Sequence, residues 1–202
     1  MILNTNIVLE ASSTIQTSTG EWVIRVYRDV THHHEQIALI KGNVLDTTPV
    51  LVRVHSECAT GDVFGSLHCD CGEQLHAAMK KIDTAGSGVL LYMKQEGRGI
   101  GLANKIKAYE LQRTKGLDTV EANEALGFVG DARTYDIVAD MLRDIGLTDI
   151  ILLTNNPKKA EGIESFGMHV VEQVSLEIPA NGVDDEYLKT KKEKMGHIFL
   201  HI

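Results

Sequence analysis

Three cysteines, all between positions 58 and 71, are the residues best suited to chemistry in this chain. Ten residues separate Cys58 from Cys69, and one separates Cys69 from Cys71. Three thiolates hold a zinc ion and leave its fourth tetrahedral position open to water, as a catalytic site requires; a closed structural site takes a fourth protein ligand. His55 and His68 are the candidates for such closure. Water on zinc ionises near pH ~7, so hydroxide becomes available under neutral conditions. The alternative is three buried, inert thiols, which are common in cores. An odd, clustered set around the turn Cys69-Asp70-Cys71 points to metal chemistry over a disulfide framework.

Two further segments suit an anion. Gln95-Glu96-Gly97-Arg98-Gly99-Ile100-Gly101-Leu102 falls between a predicted strand and a predicted helix. Its glycines let the backbone approach a ligand, the helix start offers N–H groups, and Arg98 suits a forked pair with phosphate oxygens. The glycine spacing is not the dinucleotide fingerprint, and a tight structural turn fits the same residues. Thr154-Asn155-Asn156-Pro157-Lys158-Lys159 follows a predicted buried strand. Asn156 reads as an N-cap and Pro157 as the first helical residue. The two lysines then occupy the first turn, where the helix dipole disfavours cations. An anion would offset that conflict; an ordinary capped helix with solvated lysines is the other reading. Asp131 is either the cap of the next helix or a proton carrier near bound water. Tyr109 is either a core residue with one satisfied hydroxyl or a functional group.

The elements that position these residues show in the hydrophobic pattern. Glu21–Tyr27, Gln36–Ile40 and Val50–Val54 are β-branched or apolar and read as strands. His32-His33-His34, between two of them, reads as an exposed turn, with metal binding by the histidine run as the other reading. Leu75, Ala78, Met79 and Ile82 recur at helical spacing until Gly86. Val89–Met93 and Ile150–Leu153 are short apolar runs, hence buried strands, and Met168–Val171 is a third strand of this part. Helices are predicted over Leu102–Gly116, over Asp136–Gly146 with Ile137, Val138, Met141, Leu142 and Ile145 inward, over Lys158–Phe166 and over Tyr187–Met195. Alternating strands and helices imply crossovers and a largely parallel sheet. The N-terminal strands add antiparallel pairs, so the predicted fold is α/β, with a mixed sheet and helices on both faces.

The 202 residues are 43% hydrophobic and 24% charged, ordinary for a soluble globular chain, and are expected to form a single domain over 1–202. The net charge of −8 argues against a broad nucleic-acid footprint. No apolar run approaches the ~18 residues of a membrane span. The start, Met1-Ile2-Leu3-Asn4-Thr5-Asn6, lacks the pattern of a signal peptide. A cytoplasmic protein without membrane or nucleic-acid partners is expected.

Taken as a set, six stretches resemble GTP cyclohydrolase II. They are Arg53-Val54-His55-Ser56-Glu57-Cys58, Cys69-Asp70-Cys71-Gly72, Gln95 to Leu102, Asp118-Thr119-Val120-Glu121-Ala122-Asn123, Leu152 to Lys158 and Lys194-Met195-Gly196-His197. The resemblance implies zinc on Cys58, Cys69 and Cys71, one ion per subunit. It implies GTP binding by Arg53, Val54, His55, Ser56, Glu57, Gln74, Glu96, Gly97, Arg98, Thr119, Thr154 and Lys159. The family's general base falls on Asp131, its proposed nucleophile on Arg133 and a required tyrosine on Tyr109. A guanidinium stays protonated at ordinary pH, so the expectation for Arg133 is charge stabilisation, as by an arginine finger. The family converts GTP and water to formate, pyrophosphate and 2,5-diamino-6-ribosylamino-4(3H)-pyrimidinone 5′-phosphate, the entry to riboflavin. It uses magnesium with the triphosphate and forms homodimers. It also occurs fused to a dihydroxybutanone phosphate synthase domain, which a chain of this length is not expected to hold. Ala59 and His68 stand where the family has leucine and a basic residue. His55-Ser56-Glu57 is similar to the His-x-Glu of zinc nucleobase deaminases, but their Pro-Cys-x-x-Cys is absent. A deaminase and a non-catalytic nucleotide-binding relative are the rival readings.

Overall fold

The structure, a computed structural model, describes residues 5–129 and 131–199. Residues 1–4 of the expected non-signal start, Gly130 beside Asp131, and residues 200–202 lie outside the described residues, as do the side chains of Glu186 and Met195. The chain divides into two compact units. One comprises Met1–His55, His76–Lys94 and Thr134–Leu176; the other comprises Ser56–Leu75, Gln95–Arg133 and Glu177–Ile202.

The first unit is built on a mixed sheet of seven strands, in the order β1-β2-β3-β5-β4-β6-β7. The strands are β1 (Ile7–Thr17), β2 (Gly20–Asp29), β3 (Glu35–Lys41), β4 (Val50–Ser56), β5 (Gly88–Met93), β6 (Asp149–Leu153) and β7 (His169–Val174). A tight turn at Ser18-Thr19 joins β1 to β2, and the register slips at Glu10 in a bulge. The turn carrying His32, His33 and His34 is exposed, as expected, and Asp29 closes it by accepting from the Thr31 and His32 N–H groups.

The sheet is less parallel than expected. β1-β2-β3-β5 form a continuous antiparallel ladder, whereas β4-β6-β7 are parallel. Apolar runs such as Val89–Met93 show that a strand is buried, not which neighbour it takes. β5 pairs with β3, and that pairing extends the antiparallel part.

Helices cover both faces. Neighbouring strand residues point to opposite faces, and Val89, Leu90 and Leu91 are all fully buried. Val89, Leu91 and Met93 share a core with Val50, Val52, Val54, Ile150 and Leu152. Closing that core are Ile137, Val138, Met141, Leu142 and Ile145 of α4 (Asp136–Ile145) and Ala160 and Ile163 of α5 (Pro157–Glu164). Gly88 lies on the opposite face, with Leu90. A Cβ on Gly88 would stand 2.8 Å from Ile82 Cγ2, so α1 (Cys71–Ala85) packs there.

The second unit carries α2 (Leu102–Lys115), α3 (Thr119–Ala125) and α6 (Asp185–Met195). α3 was not expected. Its sign is a capping box: Asp118 accepts from Val120 and Glu121 N–H groups, and Glu121 accepts from the Asp118 N–H. Lys194 of α6 ion-pairs with both Asp118 and Glu121, tying α6 to this cap.

Gly86 and Gly88 provide a paired test of the packing. Both have positive φ, but a Cβ on Gly86 meets open space, whereas one on Gly88 would lie 2.7 Å from Leu51 O. Gly86→Ala is expected to cost about 1–2 kcal/mol, and Gly88→Ala about 2–5 kcal/mol. Urea unfolding measures both; equal losses would contradict the packing of α1 on Gly88.

Candidate active site

Three segments of the second unit bring the cysteines together. After Cys58 the chain makes one π-helical turn, Ala59–Val63. The turn is fixed at its start: the Cys58 N–H donates to Asp62 Oδ2 at 2.9 Å, and the Asp62 N–H donates to Cys58 O at 2.7 Å. Cys69 ends the following loop, and Cys71 opens α1. The three sulfurs lie within 4.8 Å of one another, with Cys58 Sγ 3.6 Å from Cys69 Sγ, and all are free thiols. Among the described residues no imidazole or carboxylate completes the group. His68 is exposed, its ring 6.0 Å from that of Tyr109.

Two glycines permit this closeness. A Cβ on Gly61 would stand 3.0 Å from Cys69 Sγ and 3.3 Å from Cys58 Sγ; one on Gly72 would stand 2.4 Å from Gly61 O. The sulfurs compete for charge. Hydrogen bonds from Cys69 and Cys71, with a further one from Lys105, pull the Cys58 thiol down. Its contact with Cys58 pushes Cys69 up to about 11, and contacts with both neighbours push Cys71 up. A divalent cation would remove that competition by giving every thiolate a positive neighbour. The donor set therefore fits zinc: three thiolates, with no fourth protein ligand among the described residues.

Charged side chains surround the sulfurs. Lys105 Nζ lies 3.0 Å from Cys58 Sγ and 2.9 Å from both Thr60 Oγ1 and Glu96 Oε1. Burial opposes its charge, but the Cys58 sulfur, Tyr109 and Glu96 outweigh burial and hold Lys105 protonated. Tyr109 sits one helical turn further on, its ring centroid 5.7 Å from the ammonium; burial pushes its phenol well up. Glu96 Oε2 accepts from the Ala59 N–H at 2.6 Å, which pins the glycine turn to the cysteine loop. Asp70, between two cysteines, is buried and paired with Lys191 of α6 at 2.5 Å; Gln74 donates to its other oxygen.

The glycine turn also gathers the acid–base candidates. Gly97 and Arg98 have φ of 61° and 63°, and Arg98 O accepts from the Ala132 N–H at 3.1 Å. A side chain at Gly99 would crowd Ala132. Asp131 and Arg133 flank that contact and form a two-pronged ion pair. Arg133 also reaches Ser56 Oγ at 3.4 Å. Burial works against the Asp131 charge, but the Arg133 guanidinium, helped by Arg98, holds the carboxyl below its usual range. Asp131 is not the cap of α4, contrary to one reading of the sequence: α4 starts five residues later, after Tyr135. Glu57 is half-buried in this unit, and Thr119 is the first residue of α3.

The remaining expected site residues gather in the first unit, at the carboxyl ends of the parallel strands β4 and β6. Arg53 donates to Leu153 O at 3.0 Å, and His55 stacks on Tyr92 with ring centroids 5.5 Å apart. Thr154 Oγ1 accepts from the Asn156 N–H, and Asn156 caps α5 ahead of Pro157. Lys158 is exposed, but Lys159 is buried and donates to Val54 O at 2.8 Å. The solvated-lysine reading therefore fails for Lys159. Sequence reasoning missed Lys105, Asp70 and Lys191. The four-residue spacing of Lys105 and Tyr109, one face of a helix, was the available sign for the first.

The chain matches the family described as GTP cyclohydrolase II over residues 8–175. It is 54% identical over 186 residues to the riboflavin biosynthesis protein RibBA of Chlorobium phaeovibrioides, covering 92% of this chain and 45% of that protein. It is 53% identical over 194 residues to RibBA of Bacillus cereus, covering 96% and 49%. The chain thus spans about half the length of the curated relatives it matches. Among solved structures it is similar in fold to RibBX, a two-domain 3,4-dihydroxy-2-butanone 4-phosphate synthase from A. baumannii. The TM-score is 0.52 and the identity 18%, over 88% of this chain and 42% of that one.

Gly61→Ala tests the cradle beneath the sulfurs. Its methyl group would push into Cys69 and Cys58, and zinc affinity is expected to fall at least about tenfold, as read by competition with a chromophoric chelator. Unchanged affinity in a folded variant would contradict the cradle.

Proposed function

The chain belongs to the GTP cyclohydrolase II family, and on that premise we propose that it opens the guanine imidazole ring of GTP by hydrolysis. The products are formate, pyrophosphate and 2,5-diamino-6-ribosylamino-4(3H)-pyrimidinone 5′-phosphate, the entry compound of riboflavin synthesis. The observation that carries this reading is the cluster of Cys58, Cys69 and Cys71 sulfurs within 4.8 Å, with no fourth protein ligand among the described residues. Zinc held there would supply a Lewis acid able to lower the pKa of water toward ~7.

The remaining roles belong to the chain's own groups. Asp131, held ionised by Arg133, accepts protons during ring opening. The Arg133 ion pair keeps it charged near neutrality and at the same time weakens it as a base. The Tyr109 phenol, pushed up, stays protonated and serves as a donor. Arg133 is held at two nitrogens by Asp131 and reaches Ser56 with a third. That fixed fork suits charge stabilisation on leaving phosphate oxygens, and a protonated guanidinium has no lone pair for attack. Nucleotide-binding roles are carried from the family, residue by residue, to Arg53, Val54, His55, Ser56, Glu57, Gln74, Glu96, Gly97, Arg98, Thr119, Thr154 and Lys159. Magnesium would supply positive charge to the triphosphate. Residues 1–202 work as one cyclohydrolase domain, as a homodimer in the cytoplasm, with GTP as the small-molecule partner. No described helix is long and apolar enough to cross a membrane.

The test is product identification by mass after incubating zinc-loaded protein with GTP and Mg²⁺. Formate and pyrophosphate are expected, and Cys58→Ser, Cys69→Ser and Cys71→Ser are expected to abolish both. Arg133→Lys is expected to lower kcat by about 10²–10³-fold; near-complete retention would deny Arg133 an essential role. Ammonia in place of formate would indicate a deaminase, and binding without turnover a non-catalytic relative.

A further inference from the structure

Lys105 is absent from every role assigned above, yet its ammonium touches the Cys58 sulfur. Its ammonium has three hydrogens and three acceptors: Cys58 Sγ at 3.0 Å, Thr60 Oγ1 at 2.9 Å and Glu96 Oε1 at 2.9 Å. The Lys105 side chain is only 11% exposed, and that of its partner Glu96 9%. The approach is built into the backbone. Gly97 adopts a left-handed conformation, and a Cβ there would stand 3.2 Å from Lys105 Cβ. Glu96 is itself anchored by the Ala59 N–H, next to Cys58. The ammonium is thus set in place by groups from the cysteine loop and the glycine turn.

We propose that Lys105 is a positioning residue for the metal centre, setting metal affinity and the donor strength of Cys58 through an N–H···S hydrogen bond. The proposal rests on the metal reading of the three cysteines and goes beyond it. Three thiolates around a divalent ion carry one net negative charge, which is costly in a buried site. An ammonium against one sulfur offsets that charge. It also draws electron density from the sulfur, so Cys58 donates less to the ion and the ion remains a stronger Lewis acid. Groups hydrogen-bonded to metal ligands typically change affinity by about 10–100-fold when removed. The competing account makes Lys105 a counter-ion for Glu96 alone; that account moves nothing at the metal.

The experiment compares Lys105→Gln, Lys105→Met and Lys105→Arg with the unaltered chain. Zinc Kd is read by chelator competition, and the thiolate-to-metal charge-transfer band is read on Co²⁺-loaded protein. Gln and Met are expected to weaken zinc binding about 10–100-fold and to shift the cobalt band to longer wavelength; Arg is expected to restore part of both. Unchanged Kd and an unshifted band in all three would overturn the proposal. A measurement on the unaltered chain guards against variants that fail to fold. With ¹¹³Cd in place of zinc, coupling between the Lys105 ammonium protons and the metal is expected across the hydrogen bond. Visible ammonium protons without coupling would overturn the proposal. Unaltered protein that binds neither zinc, cobalt nor cadmium would overturn the metal reading itself, a result distinct from failure of Lys105.

Discussion

Three sulfurs crowded within 4.8 Å cannot all carry negative charge without a cation among them. Much of the second unit answers to that constraint. The π-helical turn presents Cys58, Gly61 and Gly72 leave the space that a side chain would fill, and Lys105 brings a positive charge to one sulfur. Asp70, between two of the cysteines, is buried against Lys191 and Gln74, which fixes the short Cys69–Cys71 segment from α6 and α1. Removing one partner of such a buried pair costs about 3–5 kcal/mol. The cysteine loop is therefore held in place by the chain's own groups. Preorganisation of that kind is what a catalytic metal site needs to keep one coordination position for a non-protein ligand.

The backbone does similar work at the glycine turn. Arg98 carries a positive φ without being a glycine, which costs on the order of 1–3 kcal/mol. In exchange, its carbonyl meets Ala132 and brings Asp131 and Arg133 beside it. Glu96 links the same turn to Ala59 and Lys105. Sequence alone left this segment balanced between a tight turn and an anion site. In the structure the segment is tightly turned, and beside it stand the charged residues Lys105, Asp131 and Arg133.

Legibility in the sequence followed the physics of each element. β4, β5 and β6 were visible because runs such as Val89–Met93 are buried on both faces, and α4 because five apolar residues fall on one side. Asn156-Pro157 marked the start of α5 correctly because capping is local chemistry. β1 was not singled out: its side chains are mostly exposed and include Ser12, Ser13 and Thr14, so no alternating apolar face marks it. α3 has only seven residues, too few for a period, though its capping box was readable. The antiparallel β3–β5 pairing is a long-range choice that composition does not encode. The cysteines were legible because thiols are few and clustered. Lys105 was not, because a lysine on a helix is ordinarily solvated, and what makes it unusual is a sulfur forty-seven positions away.

The central claim is that three thiolates, and no other protein group, bind one ion. X-ray absorption at the zinc edge of the loaded, reduced protein tests it most directly. The account predicts three sulfur scatterers at about 2.3 Å and one lighter oxygen scatterer completing the shell. An imidazole ring in the fourth position, a fourth sulfur, or protein that emerges from zinc loading without the metal would contradict it.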